Sequence, residues 1–387
     1  MNQNPQTEPT ARLENDHNLY ILGAGFSKDA GLPLVSDFLR RMRDTHPWLL
    51  QEGRKVEAKA VESVLEFRLR AASAAYWVTL DLENIEELFS LASISDEALS
   101  KDIRLAIAAT IDYSAQTHPT LEKEVYVENL PFGEKVPWLR GDPATDKTFK
   151  IFPYTYYVAR LLGLFGPPTD ERKNTFITFN YDTILENALG SLRVPFSYGI
   201  NPGEWDADPS VADSDHTQSH SVDVLKLHGS VDWARPSDRL TRYKKHQNIR
   251  ETNLVPELIP PTWKKVFPSP LNQVWERAVY QLKRATRVII IGFSMPPIDM
   301  HFKYLMAAGL QQNVSLRQIL FVNPKAKEIE GRAKKVLREA YVKPADAPEL
   351  EIWPIQFEPL DLHRFTIGTD WVDKIGRPAI SGANIRF

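Results

Sequence analysis

Asn18-Leu-Tyr-Ile-Leu-Gly-Ala-Gly-Phe-Ser27 is a mostly apolar run that breaks into Gly23-Ala24-Gly25. The residues before the break read as a buried strand. Two glycines one residue apart let the backbone turn tightly and approach a ligand closely, where a Cβ would collide. Ser27 to Ala30 follow as a helix start, whose unpaired backbone N–H groups would face a phosphate. Strand, glycine turn and helix start together have the geometry of a dinucleotide cradle and predict an α/β fold. A Gly-X-Gly turn also joins strands to helices for packing reasons alone. Here the string extends to Gly-Ala-Gly-Phe-Ser-Lys-Asp-Ala-Gly-Leu-Pro33, with Gly31 and Pro33 ending the turn, and is correspondingly more specific.

Working outward, 36–43 reads as a short helix that closes the first strand–loop–helix unit. Over about 56–117, Val61-Leu65-Leu69, Ile85-Leu88-Phe89 and Leu105-Ile107-Ile111 recur at helical intervals, which predicts a helical module inserted into the α/β framework. Residues 121–150, with Pro131, Gly133, Pro137, Gly141 and Pro143, are expected to be loop or connection. Alternation then resumes, with helices over 154–164, 182–192 and 271–285 and another after Asp299. Strands are expected over 174–180, 222–227, 287–292 and 318–322. Thr183 and Glu186 have capping-box spacing. The alternation implies a Rossmann-like parallel sheet with helices on both faces. The expected division is a flexible leader over 1–17, a Rossmann-like body over 18–45 and 151–365, the helical module with its connecting loop over 46–150, and a tail over 366–387 that carries Trp371 and Ile375. The acidic, polar stretch 201–221 reads as a surface loop.

Composition narrows the function classes. The chain has 387 residues, 43% hydrophobic and 25% charged, which is ordinary globular usage. A net charge of −3 supplies no general basic surface, so sequence-specific nucleic-acid binding is not expected. No apolar run reaches the length of a membrane span, and Met1 to Thr7 lack the charged-then-apolar pattern of a secretion signal. The expectation is a cytoplasmic protein without membrane attachment. Cysteine is absent, which excludes disulfides, thiolate zinc sites, cysteine-ligated iron–sulfur clusters and cysteine nucleophiles. His216 and His220 near Asp213 and Asp215 suggest a metal site, but their loop is otherwise featureless and no metal is expected.

Ligands of open parallel sheets sit beyond the carboxyl ends of the strands, and the candidate residues fall there. Thr178-Phe-Asn-Tyr-Asp182 ends one strand, with Asn180 and Asp182 on the same face. An amide can orient a water or hold a ribose hydroxyl. A carboxylate can bind a carboxamide or balance a ring charge. The alternative is turn chemistry, with Asp182 capping the next helix and Asn180 forming a turn. Leu227-His228-Gly229-Ser230 puts an imidazole where a base reaches a hydroxyl or a water, or else holds a structural histidine. Gly292-Phe-Ser294-Met-Pro-Pro-Ile-Asp299 follows Val288-Ile-Ile-Ile291, and Phe321-Val-Asn323-Pro324 repeats the arrangement one strand later. Each is a ribose or phosphate contact, or an ordinary turn.

Over about residues 18–325 the ordered set Gly-Ala-Gly-X-Ser…Ala-Gly-X-Pro, Thr-X-Asn-X-Asp, His-Gly, Gly-X-Ser and Asn resembles the sirtuin superfamily, in particular its bacterial SIR2-like domain branch. Pro260-Pro-Thr-Trp-Lys264, Trp275 and the Gly292–Asp299 string look like the non-deacylase branch associated with anti-phage defence. The resemblance implies a site for NAD+ as substrate. Gly23, Ala24, Gly25, Phe26 and Ser27 would line the pyrophosphate, with Gly292, Ser294 and Asn323 near the adenosine half. Asn180, Asp182 and His228 would surround the nicotinamide ribose. Sirtuin deacylases carry four zinc-binding cysteines, a Gln where Phe179 stands, and Asp-Phe-Arg where Leu34-Val35-Ser36 stand; these departures speak against acyl-lysine peptide binding. The implied activity is hydrolysis of NAD+ to nicotinamide and ADP-ribose. The alternatives are a non-catalytic NAD+ or ADP-ribose sensor and a protein deacylase. The resemblance further implies a homo-oligomer, sometimes joined by a HerA-like DNA-translocating ATPase.

Overall fold

The run His17–Leu22 forms β1 and is buried along its whole length, as expected of a strand covered on both faces. This computed structural model describes residues 17–95, 98–117, 125–128, 148–151, 153–164, 173–207, 222–262, 268–295, 300–316, 318–323, 328–329, 332 and 351–356. After Gly23 come a single helical turn, α1 (Ala24–Ser27), and a 3-10 turn over Lys28–Ala30 that Gly31 closes in the left-handed region at φ 87°. The helices α2 (Val35–Gln51), α3 (Lys55–Ala71), α4 (Ile85–Ser95) and α5 (Leu99–Thr117) follow. α2 runs eight residues past the expected 36–43, through Pro47, because Met42, Thr45 and Leu49 continue the buried stripe begun by Phe38 and Leu39. The connection expected over 121–150 contains two paired antiparallel strands, β2 (Val125–Glu128) and β3 (Thr148–Ile151). The prolines and glycines that suggested loop fall between these strands, outside the described residues.

The rest of the chain alternates. It forms α6 (Pro153–Leu161), β4 (Lys173–Thr178), α7 (Ile184–Ser191), β5 (Phe196–Ser197), β6 (Trp205–Ala207), β7 (Val222–Lys226), β8 (Gly229–Ala234), β9 (Leu240–Arg242) and α8 (His246–Glu251). Then come β10 (Pro256–Leu258), α9 (Leu271–Leu282), β11 (Arg287–Ile291), α10 (Met300–Leu310), β12 (Gln318–Asn323) and β13 (Glu351–Gln356). The main sheet has seven strands in the order β13-β12-β11-β1-β4-β7-β5, all parallel. From β1 the chain fills one side of the sheet, then crosses back to fill the other, so the order reverses between β1 and β11. Crevices form at such a reversal. Register sharpens the point: Leu22 lies opposite both Ile291 and Thr178, Thr178 opposite Lys226, and Ile291 opposite Val322. Four strands therefore end on one row and β12 one residue beyond it, and the turns that follow them stand side by side.

A second, four-stranded sheet, β10-β8-β9-β6, has no counterpart in the sequence reading. Three of its strands are three residues long, too short to show alternation. The capping box at α7 is also absent: Thr183 makes no cap bond, and Glu186 turns into the interior to pair with Lys226 at 2.9 Å. The acidic stretch 208–221, with both of its histidines, and the terminal segments 1–16 and 366–387 lie outside the described residues. Among the described residues no helix is long and apolar enough to cross a membrane, and no group of His, Asp or Glu could hold a metal ion.

The inserted helices do not form a core of their own. Val61, Val64, Phe89 and Ile107 belong to the same buried cluster as Leu19, Phe176 and Ile290. A polar latch adds to this. Buried Arg54 clasps the Glu57 carboxylate and reaches Asp112 at 2.6 Å, and Glu57 also meets His246 Nε2 of α8 at 3.2 Å. Burial alone would raise the Glu57 pKa, but the hydrogen bonds from Arg54 and His246 win and hold it down to about 2, against an ordinary 4.5. A carboxylate depressed in the folded state contributes stability above its unfolded pKa, lost as pH falls from 4.5 toward 2. That contribution is on the order of 3 kcal/mol. Glu57→Gln is expected to flatten this acid limb of stability, read by denaturant unfolding across that pH range. A second prediction concerns Gly292, where φ is 63° and a Cβ would lie 2.2 Å from the Phe26 nitrogen. Gly292→Ala should cost more than about 3 kcal/mol in the same measurement.

Candidate functional site

The floor of the site is where the β1 and β11 turns interlock. The Gly23 N–H donates to the Ile291 carbonyl at 2.9 Å, the Gly25 N–H to Gly292 at 2.8 Å, and the Gly292 N–H to Val322 at 2.9 Å. A Cβ on Gly23 would lie 2.6 Å from the Phe293 Cα, and one on Gly25 2.7 Å from the Gly292 carbonyl oxygen. The space that glycine opens is thus filled by the neighbouring turn, which corrects the expectation that a ligand fills it. The helical turn also begins at Ala24, three residues before Ser27, and the Phe26 N–H is spent on the Gly23 carbonyl at 2.9 Å.

Above this floor lies a cavity of about 610 Å³, within the range that holds nucleotide-sized ligands. Gly23, Ala24, Gly25, Ser27, Asn180, Asp182, His228, Gly292, Ser294 and Asn323 all line it. Phe26 does not. Its ring is buried edge-on to Tyr154 at 5.4 Å, and its carbonyl accepts the Tyr154 hydroxyl at 2.7 Å, so it stands behind the site and not in it. Burial pushes that phenol far above its ordinary pKa, with Asp29 and Asp182 adding to the shift, so Tyr154 stays a neutral donor.

Asn180 is held firmly. Its amide nitrogen donates to the Gly23 carbonyl at 2.9 Å and to Ser27 Oγ at 3.1 Å, and its backbone N–H to Thr178 Oγ1 at 3.0 Å. The amide oxygen is the part a ligand or water can use. Asp182 shows turn chemistry and is not the cap: its Oδ1 accepts the Ile184 N–H at 3.1 Å, two residues on, while Thr183 is the N-cap of α7. It lines the cavity as well, and a carboxylate has acceptor capacity for both tasks. His228 lies two residues past the end of β7 and is buried, edge-on to Phe179 at 5.3 Å and 6.5 Å from the Trp275 ring. The backbone around it is tied down. Its carbonyl accepts the Ile259 N–H at 2.9 Å, the Ile259 carbonyl accepts the Tyr181 hydroxyl at 2.7 Å, and Trp275 Nε1 donates to the Leu227 carbonyl at 3.0 Å. Gly229, at φ 77°, has no room for a side chain: a Cβ would lie 2.0 Å from the Glu257 carbonyl.

Several lining residues escaped the sequence reading. The inserted module contributes Asp81, Glu83 and Asn84 from the turn before α4, Ile85 and Glu86 from α4 and Ile111 from α5, so it walls the cavity. Asn84 Oδ1 accepts the Glu86 N–H at 2.9 Å. An Asn before an apolar helical run is a cap signal, which locates the helix start but not what it faces. Lys28 and Arg332 bring positive charge, and Arg332 Nη1 donates to the Ser294 carbonyl at 2.8 Å.

Residues 174–344 match the family model of the SIR2-like domain. Three solved structures are also similar to it over most of its length. A Sir2 homologue in complex with NAD is 14% identical, covering 94% of this chain and 89% of the other, with a TM-score of 0.40. A mutant Sir2 homologue in complex with 2′-O-acetyl-ADP-ribose is 12% identical, at 94% and 92% coverage and a TM-score of 0.40. Another mutant Sir2 homologue, in complex with ADP-ribose, is 13% identical, at 94% and 92% coverage and a TM-score of 0.38. Among curated proteins nothing matches. The stretch matched as SIR2-like domain holds Asn180, Asp182, His228, Gly292, Ser294 and Asn323, whereas the Gly23–Ser27 turn precedes it and joins them through β1. The two roles of Asp182 can be separated. Asp182→Ala should cost about 1 kcal/mol of stability through the lost hydrogen bond to the Ile184 N–H, while Asp182→Asn, which keeps Oδ1, should cost less than about half of that in the same unfolding experiment.

Proposed function

We propose that this SIR2-like domain hydrolyses NAD+ at the nicotinamide–ribose bond, giving nicotinamide and ADP-ribose. The observation that carries the reading is the meeting of Asn180 and His228, from the ends of β4 and β7, with the Gly23–Ser27 turn around one cavity. The chemistry asks little more. Nicotinamide in NAD+ is a cation that leaves as a neutral base, so it needs no general acid, unlike the oxygen of an ordinary glycoside. What remains is to hold the ribose, stabilise an oxocarbenium-like carbon and place one water. The Asn180 amide oxygen suits the water, His228 suits a base toward that water or the ribose hydroxyls, and Asp182 suits the carboxamide. Lys28 suits the pyrophosphate charge, whereas the Arg332 charge is shared with Glu328. Unrestrained turnover would exhaust cellular NAD+. We therefore expect control by assembly, with further copies of the chain or with a partner of the HerA-like ATPase class, in keeping with a defence effector.

The test is incubation of purified protein with NAD+ alone, with release of nicotinamide as the readout. His228→Ala and Asn180→Ala should each lower release by about 10²-fold or more. Near-wild-type release by either variant would overturn these roles. Binding of NAD+ without release would favour the sensing alternative, and release only with an acyl-lysine peptide would favour the deacylase.

A further inference from the structure

Lys226 is the last residue of β7 and is wholly buried. Its ammonium lies 2.9 Å from Glu186 of α7, whose side chain is equally buried. Taking both charges out of water is costly, and a buried pair is often replaced by apolar residues of similar size without loss of stability. Stability is therefore a weak reason for this pair. Its geometry offers a better one, because the Lys226 ammonium also donates to the backbone carbonyl of Asp182. That carbonyl belongs to the turn that carries Asn180, while His228 stands two residues beyond Lys226 on the other strand end.

The neighbouring bonds point the same way. The Leu227 N–H donates to the Thr178 carbonyl at 3.0 Å, and the Val231 N–H and Ser230 Oγ both donate to the Tyr181 carbonyl, at 3.0 and 3.3 Å. The carbonyls of Thr178, Tyr181 and Asp182 are thus all bound from the segment that holds His228. Among these ties the ammonium of Lys226 is the charged one, and charge-assisted bonds are roughly twice as strong as neutral ones. Glu186 fixes the direction of the ammonium from the far side, and the Tyr198 hydroxyl reaches Glu186 at 3.5 Å.

We propose that Lys226, oriented by Glu186, is a positioning residue that holds the Asn180–Asp182 turn in register with the strand end bearing His228. This inference rests on the NAD+ hydrolase reading for its kinetic effect, but the positioning itself can be read without turnover. Removing Lys226 alone would leave the Glu186 carboxylate buried and unpaired, so the variant of choice is the double substitution Lys226→Met with Glu186→Leu, which removes both charges. Two quantities are measured on the full chain: kcat and KM for nicotinamide release, and backbone hydrogen exchange of the segment 179–184. The expected result is a kcat lower by about tenfold or more with KM for NAD+ within about twofold, and exchange of 179–184 faster by about tenfold, with β1 and β11 unchanged. Tyr198→Phe, which touches Glu186 but not the Asp182 carbonyl, should leave both quantities within about twofold of wild type. If the double variant keeps wild-type exchange over 179–184, the positioning role is wrong, whatever the activity. If the wild-type chain releases no nicotinamide, the hydrolase reading fails and the exchange result alone decides the role of Lys226.

Discussion

The contact on which the rest depends is backbone against backbone: the Gly25 N–H meets the Gly292 carbonyl at 2.8 Å, with no space for a side chain between the two turns. Parallel strands on either side of an order reversal send their connections to opposite faces, and the crevice left between them is where ligands of such sheets bind. Here the two turns at the reversal are locked together, so the floor of the crevice is rigid. Leu22, Thr178, Lys226, Ile291 and Val322 lie on one row, at or one residue before their strand ends, and this common level brings the polar residues beyond them around one cavity.

On that floor the candidate chemistry consists of groups whose freedom is already spent. The Asn180 amide is tied through its nitrogen to Gly23 and Ser27, which leaves its oxygen aimed by the protein and not by a ligand. The His228 backbone is held through Ile259 and Trp275, and the ring lies against Phe179. Preorganised dipoles of this kind need little reorganisation when charge develops, which is why they count for more in a site than in water. The buried Lys226–Glu186 pair, through the bond to the Asp182 carbonyl, ties one site turn to another in the same way.

The inserted helices are the other determinant of the site. They share the core of the sheet and are latched by Arg54, Glu57, Asp112 and His246, so they form a fixed wall of the cavity. Residues 81–86 add carboxylates to the lining, of which Glu83 is paired with Arg43 and Arg68, while Lys28 and Arg332 supply cations, Arg332 being paired with Glu328.

Much of this was legible in the chain itself. The runs around Leu19–Leu22 and Val288–Ile291 declare buried parallel strands, because only a strand covered on both faces is apolar throughout. Glycine, asparagine and histidine just past such runs mark strand ends, and the sheet brings together every one so marked; of the residues read as contacts, Phe26 stays out. Phe26 fails because the helical turn starts at Ala24, which rotates its ring into the core. The short strands of the second sheet, the burial of Glu186 and the wall formed by Asp81 to Glu86 could not be read in advance. Sequence determines which faces are apolar and where the backbone can turn, since these are local properties of a few residues. Which distant residues share a cavity, and whether a glycine makes room for a ligand or for another turn, is decided by strand order and register, and those exist only once the whole sheet has formed.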